Sequence, residues 1–388
     1  MVKIPARHQP HVLLALGTYD YRVHRGVARY AGKHLWHLNS EMCIWGRLPR
    51  GWKGDGILTA LEFQPDLVRF VKAATVPVVD ISLNRPDIPL PRVVGDHHLI
   101  GVLAAEHFLE RGFHHFAWHA IDTGCVAELR WAGFADTLGR EGFTPERWIW
   151  QPGRRHPGDL WRAKCQWLVQ QLQTVPKPVA ILAFRDADAA NILDACLSGG
   201  FAVPDEIAIL GIDNNDLICE TQNVPLSSVH HDLDTLGYEG AALLDKLMQG
   251  QAAPAKPILI PPRGIVVRRS TEGLAIHHEP CRRALKFLQA NFARNIGVAD
   301  AVRASGLSRR GLEKAFGEQL GRTVGKELAR LRLARVKELL TRTNVTVMNI
   351  AAQTGFRTPQ YLNCVFRRAA GMTPRKYRLT HHRQVSEG

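Results

Sequence analysis

Two stretches in the last third of the chain gather the residue types that read a nucleic acid. In VADAVRASGLSRRGLEKAFGEQLG (298–321), the spacing leaves Arg309, Arg310, Glu313 and Lys314 on the outward side of a helix. In VTVMNIAAQTGFRTPQYLNCVFRRAAG (345–371), Arg357, Thr358, Gln360, Asn363 and Arg367 are placed in the same way. Arginine can donate two hydrogen bonds to guanine, and Gln or Asn can make paired bonds to adenine, on base edges exposed in a major groove about 12 Å wide. Further Lys and Arg, with the free N–H groups of helix N-termini, neutralise phosphates and fix register. An ordinary helical bundle with solvated basic residues is the alternative. Two such units in one basic block speak against it.

The elements that must position these residues follow from the same stretches. A helix over Val298–Ala304 ends at Ser305-Gly306, where Gly permits a tight reversal, and Ser308 can cap the next helix. Leu307, Leu312 and Phe316 would fasten that helix to the first. In the second unit Ile350 and Ala351 lie in the first helix, Gly355 makes the turn, and Thr358 caps with Pro359 at its favoured first position. Tyr361, Leu362, Val365 and Phe366 supply the packing face, and a helix from Val324 to Leu340 joins the units. The pattern is two helix-turn-helix units on one frame. Charge agrees with it. Residues 277–388 hold 22 Lys and Arg against 7 Asp and Glu, while the rest hold 28 against 29, so the whole formal excess of +14 lies at this end.

These residues resemble the DNA-binding domain of the AraC/XylS family. The pattern Ala301, Ser305-Gly306-Leu307-Ser308, Leu312, Phe316, Gly321 carries the likeness, followed by Ile350-Ala351, Gly355-Phe356, Tyr361, Phe366 and Gly371-Met372-Thr373-Pro374 with Tyr377-Arg378. It covers roughly 280–380 and implies binding to two successive major-groove segments of double-stranded operator DNA. Leu362 stands where an aromatic is common and Cys364 where a basic residue often sits; the latter removes one phosphate contact.

Ahead of this reader, residues 11–270 alternate short apolar runs with amphipathic helical stretches. His11–Gly17, Gly56–Leu61, Val76–Leu83, His115–Ala120, Val179–Ala183 and Ile207–Ile212 read as buried strands, continuous rather than alternating, as when helices cover both sheet faces. Helices are expected over Leu99–Arg111 and Arg162–Leu172. The rhythm predicts a doubly wound, parallel α/β architecture, and its length favours two facing lobes. A proline-rich loop (249–262) leads to a strand-like Ile265–Arg268. The domain reading is a body over 1–272, a linker over 273–281, and an all-α reader over 282–388.

Several classes drop out. No apolar run approaches the ~18 residues of a membrane span, and the apolar stretch after Met1 is too short for a signal peptide. Seven dispersed cysteines with no CxxC suit a reducing cytoplasm. No GxSxG or HExxH occurs, and Gly321–Lys326 is one residue short of a phosphate loop. The His-His pairs at 97–98, 114–115, 230–231, 277–278 and 381–382 lack helical spacing for a metal. No cofactor, metal or catalytic residue is expected.

The body resembles the effector-binding core of the LacI/GalR repressors, built like periplasmic sugar-binding proteins. The likeness runs through Val94-Gly95-Asp96, Gly101, Ala104-Ala105-Glu106-His107, Arg130 and Gly133-Phe134. It continues through Ala183, Asp186, Ala189, Gly211-Ile212-Asp213-Asn214, Leu226-Ser227-Ser228-Val229, Gly237 and Val267-Arg268-Arg269-Ser270-Thr271. That family carries its DNA-binding unit on the N-terminal side; here the reader follows the sensor. The resemblance implies a two-lobed α/β sensor and places Arg130, Asp186 and Asp213 at ligand-contact positions. Directed Asp, Asn and Arg hydrogen bonds suit a ring of sugar hydroxyls. Asn214 either bonds ligand or braces Asp213. Asp20 and Asp96 are further candidates, Asp96 also as a helix cap, and Trp131 either stacks on a sugar or packs in the core. Arg185 stands where the repressors often carry Asn, and Cys125-Val126 where Ser is common. The pairing of both resemblances is that of bacterial regulators of pentose operons. It implies a cytoplasmic, homodimeric activator that recruits RNA polymerase and is switched by an aldopentose, D-xylose first. A hexose or nucleobase effector is one rival. Another is an enzyme fused to a DNA reader, such as an alkyl-transfer protein, which needs an activated cysteine.

Overall fold

The computed structural model describes residues 9–49, 51–121, 123–151, 160–273 and 278–381. His277 and His382, each half of a His-His pair, lie outside the described residues. The chain divides into two compact units, 1–273 and 274–388.

The first lobe of the first unit begins β1 (His11–Leu16), α1 (Tyr21–Lys33), β2 (His37–Asn39), α2 (Glu41–Trp45), β3 (Gly56–Ala60), α3 (Pro65–Lys72), β4 (Val78–Asp80) and β5 (Val93–Gly95). Strands β2-β1-β3-β4 form a parallel sheet. The continuous apolar run of β1 serves both faces. Val12, Leu14 and Leu16 enter one core with Val23, Val27 and Tyr30 of α1. Leu13 and Ala15 enter the opposite core with Leu67, Val68 and Val71 of α3. A strand period of two divides the run between helices on each side.

The chain then enters the second lobe with α4 (His97–Glu110), β6 (His115–Ala120), α5 (Cys125–Arg140), β7 (Glu146–Ile149), α6 (Leu160–Thr174), β8 (Val179–Ala183), α7 (Asp186–Gly199), β9 (Ile207–Ile212), α8 (Asp216–Cys219) and β10 (Ser227–Val229). It returns to the first lobe for α9 (Leu233–Met248), which packs on α1, and β11 (Ile258–Ile260), which pairs parallel with β5. It crosses back as β12 (Ile265–Val266), giving the second sheet the order β12-β10-β9-β8-β6-β7. Three crossings therefore join the lobes, near Asp96, at His230–Asp232 and at Pro261–Gly264. The strand-like stretch at 265–268 is shorter than expected, because Arg269–Thr271 turns into a 3₁₀ segment.

The second unit is all α: α10 (Glu279–Asn291), α11 (Val298–Ser305), α12 (Arg309–Leu320), α13 (Val324–Arg342), α14 (Val347–Gln353), α15 (Pro359–Ala370) and α16 (Pro374–His381). Ser308 caps α12 by accepting from the Gly311 N–H at 3.1 Å, and Thr358 caps α15 from the Tyr361 N–H at 3.1 Å. Two separate apolar cores result. Leu312, Phe316 and Leu328 lie in the first, and Val336, Ile350, Leu362 and Phe366 in the second.

Candidate functional site

The polar centre of the first unit forms where β9 ends. Asp213 (φ 101°) and Asn214 (φ 49°) both occupy the left-handed region, which costs about 1–3 kcal/mol per residue unless surrounding bonds hold it. Those bonds are present. The Asn214 N–H donates to Ser228 Oγ at 2.9 Å and the Asn215 N–H to Asp186 Oδ2 at 2.6 Å. Ser228 Oγ in turn donates to Asp186 Oδ1 at 2.6 Å. Asp186 is thus the brace of the turn that presents Asp213, and its oxygens are engaged inward. Burial, reinforced by the negative charge of Asp213, pushes the Asp186 carboxyl up to about 7.

Three side chains from different parts of the fold converge on Asp213. Arg130 of α5 brings Nη2 to 3.7 Å from Oδ1, and His231 at the second crossing brings Nδ1 to 3.2 Å from the same oxygen. Arg22 of α1, in the other lobe, donates from Nη1 to the Asp213 carbonyl at 2.5 Å. Burial alone would raise the Asp213 carboxyl. The His231 hydrogen bond and the charges of Arg130, His231 and Arg22 overcome it and hold the group well below the usual range. Arg130 also donates to the Phe184 carbonyl and lies 4.9 Å from the Phe184 ring centroid.

Helix packing places Arg130. Gly101 of α4 and Gly133 of α5 face each other so closely that a Cβ at Gly101 would lie 2.1 Å from the Arg130 carbonyl oxygen, and one at Gly133 would lie 2.0 Å from that of His98. Beside Asp213, the rings of His97 and His231 meet edge to face at 5.3 Å. Burial, then the charges of Arg130 and His231, keep His97 well below the ordinary imidazole range. Among the described residues, His97 Nδ1, His231 Nε2 and Arg130 Nε have no hydrogen-bond partner although buried.

The remaining candidates divide. Asp20 caps α1 and holds Arg22 through Nε (3.0 Å) and Nη2 (2.6 Å), so it aims the interlobe arginine. Asp96 caps α4 by accepting from the Leu99 N–H at 3.0 Å. Asn214 does not brace the Asp213 carboxylate; its Oδ1 accepts from Arg268 Nη1 at 2.9 Å. Trp131 turns away from the cluster, a helical step of about 100° from Arg130, and its half-buried ring lies under the Arg147 guanidinium at 5.2 Å. Arg185 leaves the end of β8 toward Asp188 (3.2 Å), with its guanidinium 5.6 Å from the Phe184 ring. Arg22, His97, His231 and Phe184 were not singled out as binding residues from the sequence. Arg22 lies 191 positions from Asp213, and the His230-His231 pair was weighed only for metal.

In the second unit Arg309, Arg310 and Lys314 of α12 are exposed, as are Arg357, Thr358, Gln360, Asn363 and Arg367 at α15. Gln360, Asn363 and Arg367 follow at steps of three and four and share one face. Two expectations need correction. Glu313 is half-buried, because its Oε2 accepts the Val324 N–H (3.1 Å) at the N-terminus of α13. Tyr361 does not pack inward: it is 56% exposed, with its ring tilted against that of Phe356 at a centroid distance of 6.0 Å, so it joins the outward face.

Among the described residues no helix is long and apolar enough to cross a membrane, and no group of three His, Cys, Asp or Glu could hold a metal. Burial pushes Cys43 and Cys281 up to about 11 and Cys196 up to about 12, away from nucleophilic thiolates.

Comparison with known proteins bears on both units. Residues 105–271 match the model of a periplasmic binding protein-like domain, and 301–380 that of a helix-turn-helix domain. The chain is 28% identical over 383 residues to the xylose operon regulatory protein of Escherichia coli K12, covering 96% of this chain and 97% of that one. To the protein of the same name from Haemophilus influenzae it is 26% identical, over 93% of this chain and 95% of the relative. Over 91 residues it is 36% identical to the transcriptional activator RhaR of Yersinia pseudotuberculosis, 24% of this chain and 31% of that protein. Among solved structures, that of the xylose-binding transcription activator xylR superposes with a TM-score of 0.60 at 26% identity, covering 97% of this chain and all of that one. The cellobiose complex of the transcriptional regulator CelR shares the fold at 0.55 and 20% identity, over 69% of this chain and 86% of that one.

Proposed function

Since the chain belongs to the AraC-type transcription regulators that carry a periplasmic-binding-protein-like domain, we propose that residues 1–272 sense an aldopentose, D-xylose first, and that residues 282–388 read operator DNA. The observation that carries the sensing role is the convergence of Arg22, Arg130 and His231 on Asp213 at the three-stranded crossing between lobes. Arg and Asp side chains at such a junction suit the paired hydrogen bonds of a sugar hydroxyl ring. Asp186 acts as the brace of the binding turn, Asp20 aims Arg22, and Asp96 caps the helix beyond the first crossing. Asn214, tied to Arg268, and Trp131, under Arg147, contribute at most indirectly.

The mechanism is a hinge. A ligand that bonds groups of both lobes favours the closed form by the difference in its affinity for the two forms. Closure alters the spacing of paired readers in a homodimer, and DNA affinity changes with it. Arg309, Arg310, Gln360 and Asn363 read bases, while Lys314, Arg357, Thr358 and Arg367 hold phosphates. The relatives are transcription regulators, and the reading extends their role to a non-enzymatic, cytoplasmic activator that recruits RNA polymerase. A hexose or nucleobase effector is the second reading, favoured by Arg185 beside the Phe184 ring.

A thermal-shift screen of pentoses, hexoses and purines tests this. Ligand at about 100 times Kd adds about 2.7 kcal/mol, a rise of several degrees in Tm for a unit of this size. Stabilisation by D-xylose or another aldopentose supports the reading. Stabilisation by a purine or hexose alone transfers the site to the second reading, and turnover of a bound sugar would overturn both.

A further inference from the structure

The two helix-turn-helix units have separate apolar cores, and α13 runs through both: Leu331 packs on the first and Leu333 on the second. Arg332 lies between them, at the seam. Among the described residues its guanidinium meets no carboxylate. Nε donates to the Phe292 carbonyl at 2.9 Å, and Nη2 donates to those of Arg294 and Ile296 at 3.0 Å each. These three carbonyls belong to the connector that enters the first reader, between α10 and α11.

The turn of the second reader rests on the same place. Gly355 has φ 73°, and a Cβ there would lie 2.5 Å from the Phe292 oxygen, 2.8 Å from the Arg294 oxygen and 2.9 Å from Arg332 Nε. One guanidinium therefore holds the entry of the first unit, and the glycine turn of the second is seated directly on that contact. Neither apolar core supplies this link.

We infer that Arg332, with Gly355 seated against it, is a clamp that fixes the relative position of the two recognition helices and so sets the spacing of the two DNA segments they read. Arg332 is a positioning residue: it acts through α12 and α15 and touches no base in this role. The inference rests on the DNA-reading role of the second unit and is independent of the effector's identity.

The test uses the full chain and a duplex recovered from random-sequence DNA by selection, with footprinting to locate its two protected segments. One or two base pairs are then inserted between them. Each insertion moves one segment by about 3.4 Å and turns it by about 35°, and the unsubstituted protein should lose at least about tenfold in affinity, the equivalent of about 1.4 kcal/mol. In Arg332→Gln the penalty for insertion should fall to less than about threefold, about 0.7 kcal/mol by the same relation. An unchanged penalty would mean that α13 alone sets the spacing and would overturn the inference. Loss by one common factor at every spacing would overturn it too, since that is what poorer folding alone produces. A second measurement needs no DNA. Spin labels on Cys364 of α15 and on a Glu318→Cys site of α12, with Cys43 and Cys125 replaced by Ser, should give one narrow distance. Arg332→Gln and Gly355→Ala should broaden or shift it, and an unaltered distribution contradicts the clamp.

Discussion

Replacing Arg22 with Met isolates the more buried bond that Arg22 makes between the lobes; Tyr21 Oη to Asp216 is a second, exposed one. The residue is 8% exposed, and Met preserves its apolar stem and approximate length. Asp20 keeps its capping bond from the residue-22 N–H (2.9 Å), and its side chain is 27% exposed, so water can replace the lost guanidinium. The main loss is the charge-assisted donation from Nη1 to the Asp213 carbonyl, worth about 1.5–3 kcal/mol net. That amount shifts the equilibrium between joined and parted lobes by about 10- to 150-fold. A ligand that needs the joined form then binds with an apparent Kd raised by up to the same factor. Calorimetric titration of the full chain with D-xylose reads it directly. Tyr21→Phe removes only the exposed bond to Asp216 (2.7 Å) and should cost under about 1 kcal/mol. If Arg22→Met binds the sugar within twofold of the parent, the lobe-bridging argument is wrong.

Four other substitutions test three separate steps. The Asp186 carboxyl, raised to about 7 from 3.8, makes the folded state bind a proton more tightly than the unfolded chain. Its contribution therefore favours low pH and is lost between about pH 4 and 7, about 4 kcal/mol in all and at most about 1.4 kcal/mol per pH unit. Asp186→Asn should flatten the pH dependence of urea stability between pH 5 and 7, and equal slopes in the two proteins would refute that assignment. Gly101→Val should cost about 3 kcal/mol or more and displace Arg130, whereas Gly139→Ala, facing open space on the same α5, should be neutral or stabilising in thermal melts. Gln360→Ala should lose about 1–3 kcal/mol on the selected duplex and relax choice at one base pair. Equal weakening on all sequences, with the salt slope unchanged because Gln carries no charge, would move Gln360 to the phosphate contacts.

How far the sequence reaches is plain from particular residues. The strands at 11, 115, 179 and 207 were legible because both-sided burial writes an unbroken apolar run. The readers were legible because caps and turns are local: Ser308 and Thr358 act within three residues of themselves. The polar centre is different in kind. Its bonds join positions 22 and 213, 130 and 213, or 214 and 268, and no local pattern announces them. Asp96 had two readings from sequence, and only the Leu99 contact shows that it caps α4. Trp131 and Tyr361 were hard to place for a related reason. An aromatic on an amphipathic helix is assigned by periodicity, but its environment is set by a neighbour elsewhere in the fold, Arg147 for one and Phe356 for the other.

The central claim is that ligand occupancy in the first unit is felt by DNA at the second. Affinity of the full chain for the selected duplex, measured by anisotropy with and without saturating D-xylose, tests it at one stroke. The account predicts a change of about 5- to 150-fold, with an equal change in sugar affinity when the duplex is present. Saturation of the sensor by sugar with duplex affinity unaltered would contradict it.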